Sequence, residues 1–301
     1  MEPYLPPSFR SYANEDVEQL AVGTAGKDGV LEATFTRDSD GVTNVSREFS
    51  RPPFHLMRGL HHDEQLDDLV TLYIQNPSGG VTQGDRFRID LDVQTDAKAH
   101  VTTQGATKTH RMEKNYARSC VDISVEEGGY LEYIPDPTIL YRGSRYQQTL
   151  HVDVHKDATA VVSEIIVPGR LARGERFEYD RYHSAIHAKY AGTRVLTDTI
   201  ELSPDEDDLQ RQGLLGEYPV VGSLYVLTRS VDPHELSDAV FRQLADRTGI
   251  VGGASVLPEG TGVVVRSLGH TAEEVETGIH DAWDTTRSAL FGVNKPKQRK
   301  Y

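Results

Sequence analysis

Arg88-Ile-Asp-Leu-Asp-Val93, a turn over Gln94 to Lys98, then Ala99-His-Val-Thr-Thr-Gln104 is one unit of a layout that the chain writes three times. The second copy is Cys120-Val-Asp-Ile-Ser-Val125, a turn over Glu126 to Gly129, and Tyr130-Leu-Glu-Tyr-Ile134. The third is Thr149-Leu-His-Val-Asp-Val154, a turn over His155 to Asp157, and Ala158 to Val167. In each first segment apolar residues alternate: Phe87, Ile89, Leu91 and Val93; Val121, Ile123 and Val125; Leu150, Val152 and Val154. Period two marks a strand with one buried face, because successive side chains leave opposite sides of the pleat. The closing valines at 93, 125 and 154 are 32 and 29 residues apart. That spacing predicts hairpins stacked as successive rungs of an elongated sheet or an irregular β-solenoid. An ordinary antiparallel sandwich would share the alternation.

Further strands are expected at Leu31 to Thr36, Leu69 to Gln75, His183 to Tyr190, Arg194 to Leu202, Gly222 to Thr228 and Gly262 to Arg266. Helices are expected only in the last quarter. Asp232-Pro-His-Glu235 supplies an N-cap carboxylate, a first-turn proline and a capping-box acid ahead of Leu236, Val240, Phe241 and Leu244, with Gly249 as the stop. Thr271-Ala-Glu-Glu274 opens a second helix whose Val275, Ile279, Ala282, Thr286 and Leu290 share a face, ending at Gly292. Both helices are expected against the sheet edge. The fold class is therefore mainly β: an irregular β-solenoid-like or stacked-hairpin core with two C-terminal α-helices. The expected organisation is a single domain over 1–301, with a β core at about 20–229, a helical part at about 231–292, and poorly ordered tails at 1–12 and 295–301.

Charge narrows the partners. The 46 acidic residues outnumber 32 basic ones, a formal net charge of −14, which opposes attraction to nucleic acid or anionic lipid. The basic residues are 23 Arg and nine Lys, and acidic runs such as Asp205-Glu-Asp-Asp208 recur, as in adaptation to high salt. No stretch reaches the length of a membrane span and Met1-Glu-Pro-Tyr4 does not open a signal peptide, so a cytoplasmic location is expected. Cys120 is the only cysteine, so no internal disulfide can form, and the sequence has no CxxC or Cys-His cluster of the kind that holds structural zinc.

Enzyme motifs are not found. Gly79-Gly-Val-Thr-Gln-Gly84 has phosphate-loop glycine spacing, but Asp85 follows where lysine is needed, and the glycines are better read as turn positions. Of the histidine pairs, His151/His155 and His183/His187 lie on or beside strands, where four residues span about 13 Å, too far to share an ion. Solvent-facing histidines are expected there. His61-His-Asp-Glu64, in a loop-like stretch, has donors for a soft divalent ion such as nickel. Cys120 falls opposite the buried face of its strand but lacks a sequence-adjacent base.

Four blocks have distinctive wording: Asn76-Pro-Ser-Gly-Gly-Val-Thr-Gln-Gly-Asp-Arg86, Thr102-Thr-Gln-Gly-Ala-Thr-Lys-Thr-His-Arg111, Leu131-Glu-Tyr-Ile-Pro-Asp-Pro-Thr-Ile-Leu140 and Pro168-Gly-Arg-Leu-Ala-Arg-Gly-Glu-Arg-Phe177. Their wording, order and spacing resemble the UreD (UreH) family of urease accessory proteins, from about Val30 to Gly292, with Ser255-Val-Leu-Pro258 and Val265-Arg-Ser-Leu-Gly269 similar as well. The resemblance implies a non-catalytic scaffold that bridges apo-urease and the accessory proteins UreF and UreG, the last a nickel-carrying GTPase, and a predominantly β fold with flanking helices. It also implies nickel in transit through an internal channel, no tightly bound cofactor, and GTP acting only through UreG.

A cation channel needs carboxylates and neutral polar groups at intervals, each releasing the ion readily. Within the matching blocks the acidic candidates are Asp85, Glu132, Asp136 and Glu175, with Thr102, Thr103, Gln104 and Thr107 as polar lining. Asp85 and Glu175 are equally suited to structural ion pairs with Arg86, Arg170, Arg173 or Arg176. Arg86, Lys108, Arg111, Arg170 and Arg173 are candidates for partner docking. Pro135-Asp-Pro137 departs from the Gln-Glu pair of many relatives, so no role for a glutamate transfers there. Pro204 to Glu217 reads as a solvated acidic insertion that tolerates deletion. The competing class is a β-rich metal-dependent hydrolase using loop-borne Asp, Glu and His.

Overall fold

A computed structural model describes residues 5–17 and 26–296. Its strands are β1 (Asp28–Arg37), β2 (Thr43–Arg51), β3 (His55–Leu56), β4 (Val70–Gln75), β5 (Arg86–Val93), β6 (Lys98–Thr103), β7 (Thr107–Thr109), β8 (Ala117–Val125) and β9 (Tyr130–Tyr133). There follow β10 (Thr138–Leu140), β11 (Arg145–Val154), β12 (Thr159–Val167), β13 (Arg181–Tyr190), β14 (Thr193–Leu202), β15 (Val220–Leu227), β16 (Ile250–Val256) and β17 (Gly262–Gly269). Three α-helices join them: α1 (Arg10–Ala13), α2 (Pro233–Ala245) and α3 (Ala272–Phe291).

The three repeated units form solenoid rungs. Their first arms, β5, β8 and β11, lie side by side in a seven-stranded sheet of order β14-β13-β11-β8-β5-β1-β2. Their second arms, β6, β9 and β12, lie in a facing sheet whose main path runs β16-β17-β15-β12-β9-β6-β4-β3. The two arms of a unit therefore do not pair as a hairpin, which corrects the stacked-hairpin alternative. Each turn carries the chain across to the opposite sheet, and each arm pairs in parallel with its counterpart in the next rung. This arrangement lets both arms bury an apolar face against each other while the backbone is satisfied by neighbouring rungs. The closing valines fall in register, Val93 beside Val125 and Val125 beside Val154. Antiparallel strands finish the stack: β2 and β14 on the first sheet, β15, β17 and β16 on the second.

Two apolar cores result. One fills the space between the sheets, with Leu31, Phe35, Leu72, Leu91, Val101, Leu131 and Val162. The other lies between the outer face of the second sheet and helices α2 and α3, with Leu69, Val161, Leu224, Val240, Ile279 and Trp283. Strand β12 is covered on both faces and all nine of its residues are buried. The helices thus sit on a sheet face and not at its edge as expected. The approach of α3 to β15 is close: a Cβ on Gly222 would come within 2.5 Å of Val275, so glycine is required there.

The caps follow the sequence. Asp232 accepts from the His234 and Glu235 amides, and Thr271 and Glu274 close a reciprocal capping box. Gly292 takes the left-handed conformation at φ 70°. Helix α2 stops at Ala245, capped by Asp246, short of Gly249, and Phe241 faces solvent. Strands β2 and β16 were not expected. The first is a largely exposed edge strand without alternation, and the second carries Gly252-Gly253.

Several expectations need correction. Of the N-terminal tail, residues 1–4 lie outside the described residues, but Pro7 to Ala13 form helical turns that place Phe9 in full burial against Tyr116 and His183. His183 is consequently buried, not solvent-facing. At the other end, 297–301 lie outside the described residues, while the Lys295 amide donates to Asp284 Oδ1 at 2.5 Å. The 204–217 segment is not merely solvated: Leu209 is buried in the inter-sheet core and Glu206 pairs with Arg181. Among the described residues no helix is long and apolar enough to cross a membrane.

Candidate functional site

A cavity of about 390 Å³ opens between the two sheets. Its rim is made by the loop at Asn76 to Val81, by Thr103 to Lys108, and by Pro135, Asp136 and Thr138. Its inner wall is made by alternating inward residues of β5, β8, β11 and β12, including Ile89, Ser119, Gln148 and Glu164. The rim loops are folded tightly against one another. Gly79, Gly80 and Gly84 have φ of 80°, 144° and 77°, and a Cβ on Gly80 would lie 2.4 Å from the Lys108 carbonyl oxygen. These glycines are turn residues, as expected from the lysine missing after them.

Five sequence candidates meet at the cavity: Thr103, Gln104, Thr107, Lys108 and Asp136. Thr103 and Asp136 bond reciprocally. The Thr103 hydroxyl donates to Asp136 Oδ2 at 3.1 Å and accepts from the Asp136 amide at 2.8 Å. Deeper in, Glu164 is the residue that sequence reasoning missed. Its Oε1 accepts from Gln148 Nε2 (2.9 Å), Tyr182 Oη (2.9 Å) and Ser184 Oγ (2.5 Å). Burial raises its carboxyl above the ordinary range, and the bonds from Ser184 and Tyr182 offset this only in part. Burial likewise pushes up the phenols of Tyr133 and Tyr146 in the same wall. A signal for Glu164 existed: it is the one charged residue in the run Thr159-Ala-Val-Val-Ser-Glu-Ile-Ile-Val167, and a carboxylate inside a fully buried strand requires partners or a task.

The other acidic candidates lie elsewhere, each held internally. Asp85 is fully buried, pairs with Lys27 Nζ at 3.0 Å and accepts from the Lys27 and Thr82 amides at 2.9 and 2.8 Å. Its cation is thus Lys27, none of the arginines considered. Glu132 is fully buried under α3, facing His100 Nδ1 at 2.9 Å, Tyr130 Oη at 2.5 Å and Arg287 Nη1 at 3.0 Å. Burial alone would raise its carboxyl, but His100, Arg287 and Tyr130 outweigh that and hold it below the usual range. Glu175 pairs with Arg170 and accepts from the Arg142 amide at 3.2 Å. Burial works against its ionisation, yet these donors hold it low. Thr102 is buried and donates to the Ile134 carbonyl at 2.7 Å.

Two docking candidates are engaged within the chain and only partly buried. Arg86 donates to the Asp85 and Tyr116 carbonyls (2.9 and 2.6 Å) and to Asn115 Oδ1 (2.8 Å), and Arg170 lies over the Tyr141 ring beside Glu175. Lys108, Arg111 and Arg173 are exposed. The loop at His61 to Glu64, whose donors could suit a soft ion, does not gather them: Asp63 is buried against Arg287 and His61 Nε2 meets the Thr43 carbonyl at 2.7 Å.

The chain's relatives agree with what its blocks imply. The model of the UreD urease accessory protein family matches residues 27–300. A urease accessory protein UreD of Haloarcula marismortui is 46% identical over 295 residues, covering 98% of both chains. That of Natronomonas pharaonis is 39% identical over 299 residues, covering 99% of both. A bacterial one from Photorhabdus laumondii subsp. laumondii is 35% identical, covering 94% of this chain and 89% of its own. With a family match across nearly the whole chain and full-length relatives well above 30% identity, the chain belongs to the UreD family of urease accessory proteins and has its role in urease maturation.

Proposed function

We propose that this protein is a non-catalytic scaffold that bridges apo-urease and the accessory proteins UreF and UreG, and that nickel travels through the space between its two sheets. The observation that carries the route is the inter-sheet cavity with one carboxylate at its rim, Asp136, and one deep inside, Glu164. A cation in transit needs oxygen donors that bind weakly and release readily, and a site rich in His or Cys would trap nickel. Among the described residues the cavity lining contains neither His nor Cys. Glu164 suits a transient role because burial favours its protonated form: an arriving cation displaces that proton, and the proton's return favours release. The hydroxyls of Thr103, Thr107 and Ser119 add neutral oxygen donors along the wall. Exposed Lys108, Arg111 and Arg173 remain candidates for partner contact. No tightly bound cofactor is proposed, GTP acts only through UreG, and assembly takes place in the cytoplasm.

The test is co-expression with urease and its accessory proteins, comparing wild type with Glu164→Gln and Asp136→Asn. The reading expects the complex to be recovered intact in high KCl with urease nickel content reduced several-fold. Full nickel content in both variants would remove the cavity from the route. Failure of the wild-type chain to co-purify with UreF or urease would remove the bridging role.

A further inference from the structure

The outward face of the first sheet carries a row of side chains that the cavity does not use. Parallel in-register pairing sets Asp90, Asp122, His151 and His187 side by side on β5, β8, β11 and β13. Adjacent strands are about 4.8 Å apart, so residues a whole rung apart in sequence become neighbours here. Cys120 lies two positions before Asp122 and therefore on the same face. Its Sγ is 3.7 Å from Asp122 Oδ2, and Asp122 Oδ1 meets His151 Nδ1 at 2.8 Å. One donor atom from each of the three residues lies within 4.8 Å of the other two. The His187 ring stacks on that of His151, with centroids 5.5 Å apart and planes 16° from parallel, which limits how the imidazole can turn. Asp122 and His151 are about half exposed, with side-chain values of 48% and 49%.

We propose that Cys120, Asp122 and His151 form a surface site for a borderline-soft divalent cation of the zinc, cobalt and nickel class, bound by thiolate, carboxylate and imidazole with a fourth position open. The donor set selects the metal class, since thiolate and imidazole favour these ions over magnesium or calcium. Tetrahedral coordination with a sulfur at about 2.3 Å and nitrogen or oxygen at about 2.0 Å places donors about 3.5 Å apart. The Cys120–Asp122 separation is close to this, and the Asp122–His151 pair must open by less than about 1 Å, a rotation their exposed side chains permit. On binding, the thiol proton of Cys120 and the proton between His151 and Asp122 leave to solvent. Arg88, the strand partner of Cys120 on β5, is already held by Asp90 at 2.6 Å and Glu32 at 3.9 Å. The site lies on the outer wall, opposite the inward Val121, Ile123 and Val152, so it stands or falls independently of the interior route. Its open position and exposure make it a site of exchange, where a water or a partner's side chain completes the sphere.

The test is anaerobic titration of the reduced full-length protein with Co²⁺, read by absorption. The chain contains one cysteine, so a near-ultraviolet thiolate-to-cobalt band reports on Cys120 alone. One equivalent should develop that band together with intense visible transitions of a tetrahedral ion, and Zn²⁺ or Ni²⁺ should compete it away. Asp122→Asn and His151→Ala should each weaken binding by at least the roughly 10- to 100-fold that loss of an outer-shell partner costs, while His155→Ala leaves it unchanged. Absence of the band at millimolar Co²⁺, or a band of unchanged affinity in both variants, would overturn the assignment.

Discussion

Replacing Arg287 with methionine should be among the most damaging single changes in this protein. The guanidinium is fully buried and joins α3 to the second sheet and to the loop before β4: Nη1 reaches both Glu132 oxygens at 3.0 and 3.1 Å, Nη2 pairs with Asp63, and Nε donates to the Asn294 carbonyl at 3.1 Å. Methionine fills much of the volume but leaves two buried carboxylates without their cation, a loss of about 3–5 kcal/mol. An unfolding entropy of about 2.1 cal/mol/K per residue over a chain of this length gives about 0.6 kcal/mol/K, so the midpoint should fall by about 5–8 °C. The assay is calorimetry at pH 7 beside intrinsic fluorescence. The single tryptophan, Trp283, stacks on His100 at 5.1 Å and lies 5.9 Å from the guanidinium, so its emission reports on this place directly. The sign with pH also follows. Glu132 is held below its ordinary range, so its pairing contributes stability above the unfolded value and loses it as pH falls through the lower folded value. The gap between wild type and variant should therefore narrow in acid. A midpoint within about 2 °C of wild type at pH 7, with unaltered Trp283 emission, would refute the view that this buried cation organises the helix-to-sheet contact.

Glu164 has the opposite linkage: its carboxyl is raised by burial, so stability declines as pH rises from the unfolded value toward the folded one. Glu164→Gln should remove that slope and melt higher than wild type at neutral pH, checked by melting curves from pH 4.5 to about 8. Leu209→Ala should cost about 2–5 kcal/mol in urea unfolding, because the side chain plugs the inter-sheet core from within the acidic 204–217 segment. With a net charge of −14, the folded state should gain from screening, and its melting midpoint should rise between dilute buffer and molar KCl, where the screening length is about 3 Å. A midpoint no higher in salt would set aside adaptation to high salt.

The rungs were legible because alternation and the 29- and 32-residue spacing survive in one dimension. Their pairing was not. A hairpin and a solenoid rung present the same apolar period, and only the facing sheet decides between them. The burial of β12 on both faces reads as an apolar run, yet the helix that covers its outer side, α3, comes some 110 residues later. Charges inside the fold were the hardest to place. Glu132 meets Arg287 across 155 residues and Asp63 meets it across 224, separations for which no local pattern exists. The Cys120, Asp122 and His151 cluster was hidden for the same reason: Cys120 and Asp122 lie on one rung and His151 on the next, and only the register brings the two rungs together.

That register also sorts the four acidic residues singled out by their sequence blocks, and Asp85 and Asp136 test the sorting. Asp85 has both oxygens engaged and lies against Lys27, which is itself only 9% exposed. Asp85→Ala would leave that ammonium buried without its carboxylate, at about 3–5 kcal/mol, and would release the Thr82 turn at the start of β5. Asp136 is half-buried at the rim and keeps its amide bond to Thr103 whatever its side chain becomes, so Asp136→Asn should cost about 1 kcal/mol or less. Both variants are expected to yield nickel-poor urease, by different routes. With Asp85→Ala the loss should follow a lowered melting midpoint and poor recovery of the complex, and cooling the cells during expression should restore part of it. With Asp136→Asn the protein should melt and assemble normally while nickel content alone declines. If Asp85→Ala instead melts as wild type does and still blocks nickel delivery, its carboxylate belongs to the route, and the ion pair with Lys27 is a resting state that the passing cation opens.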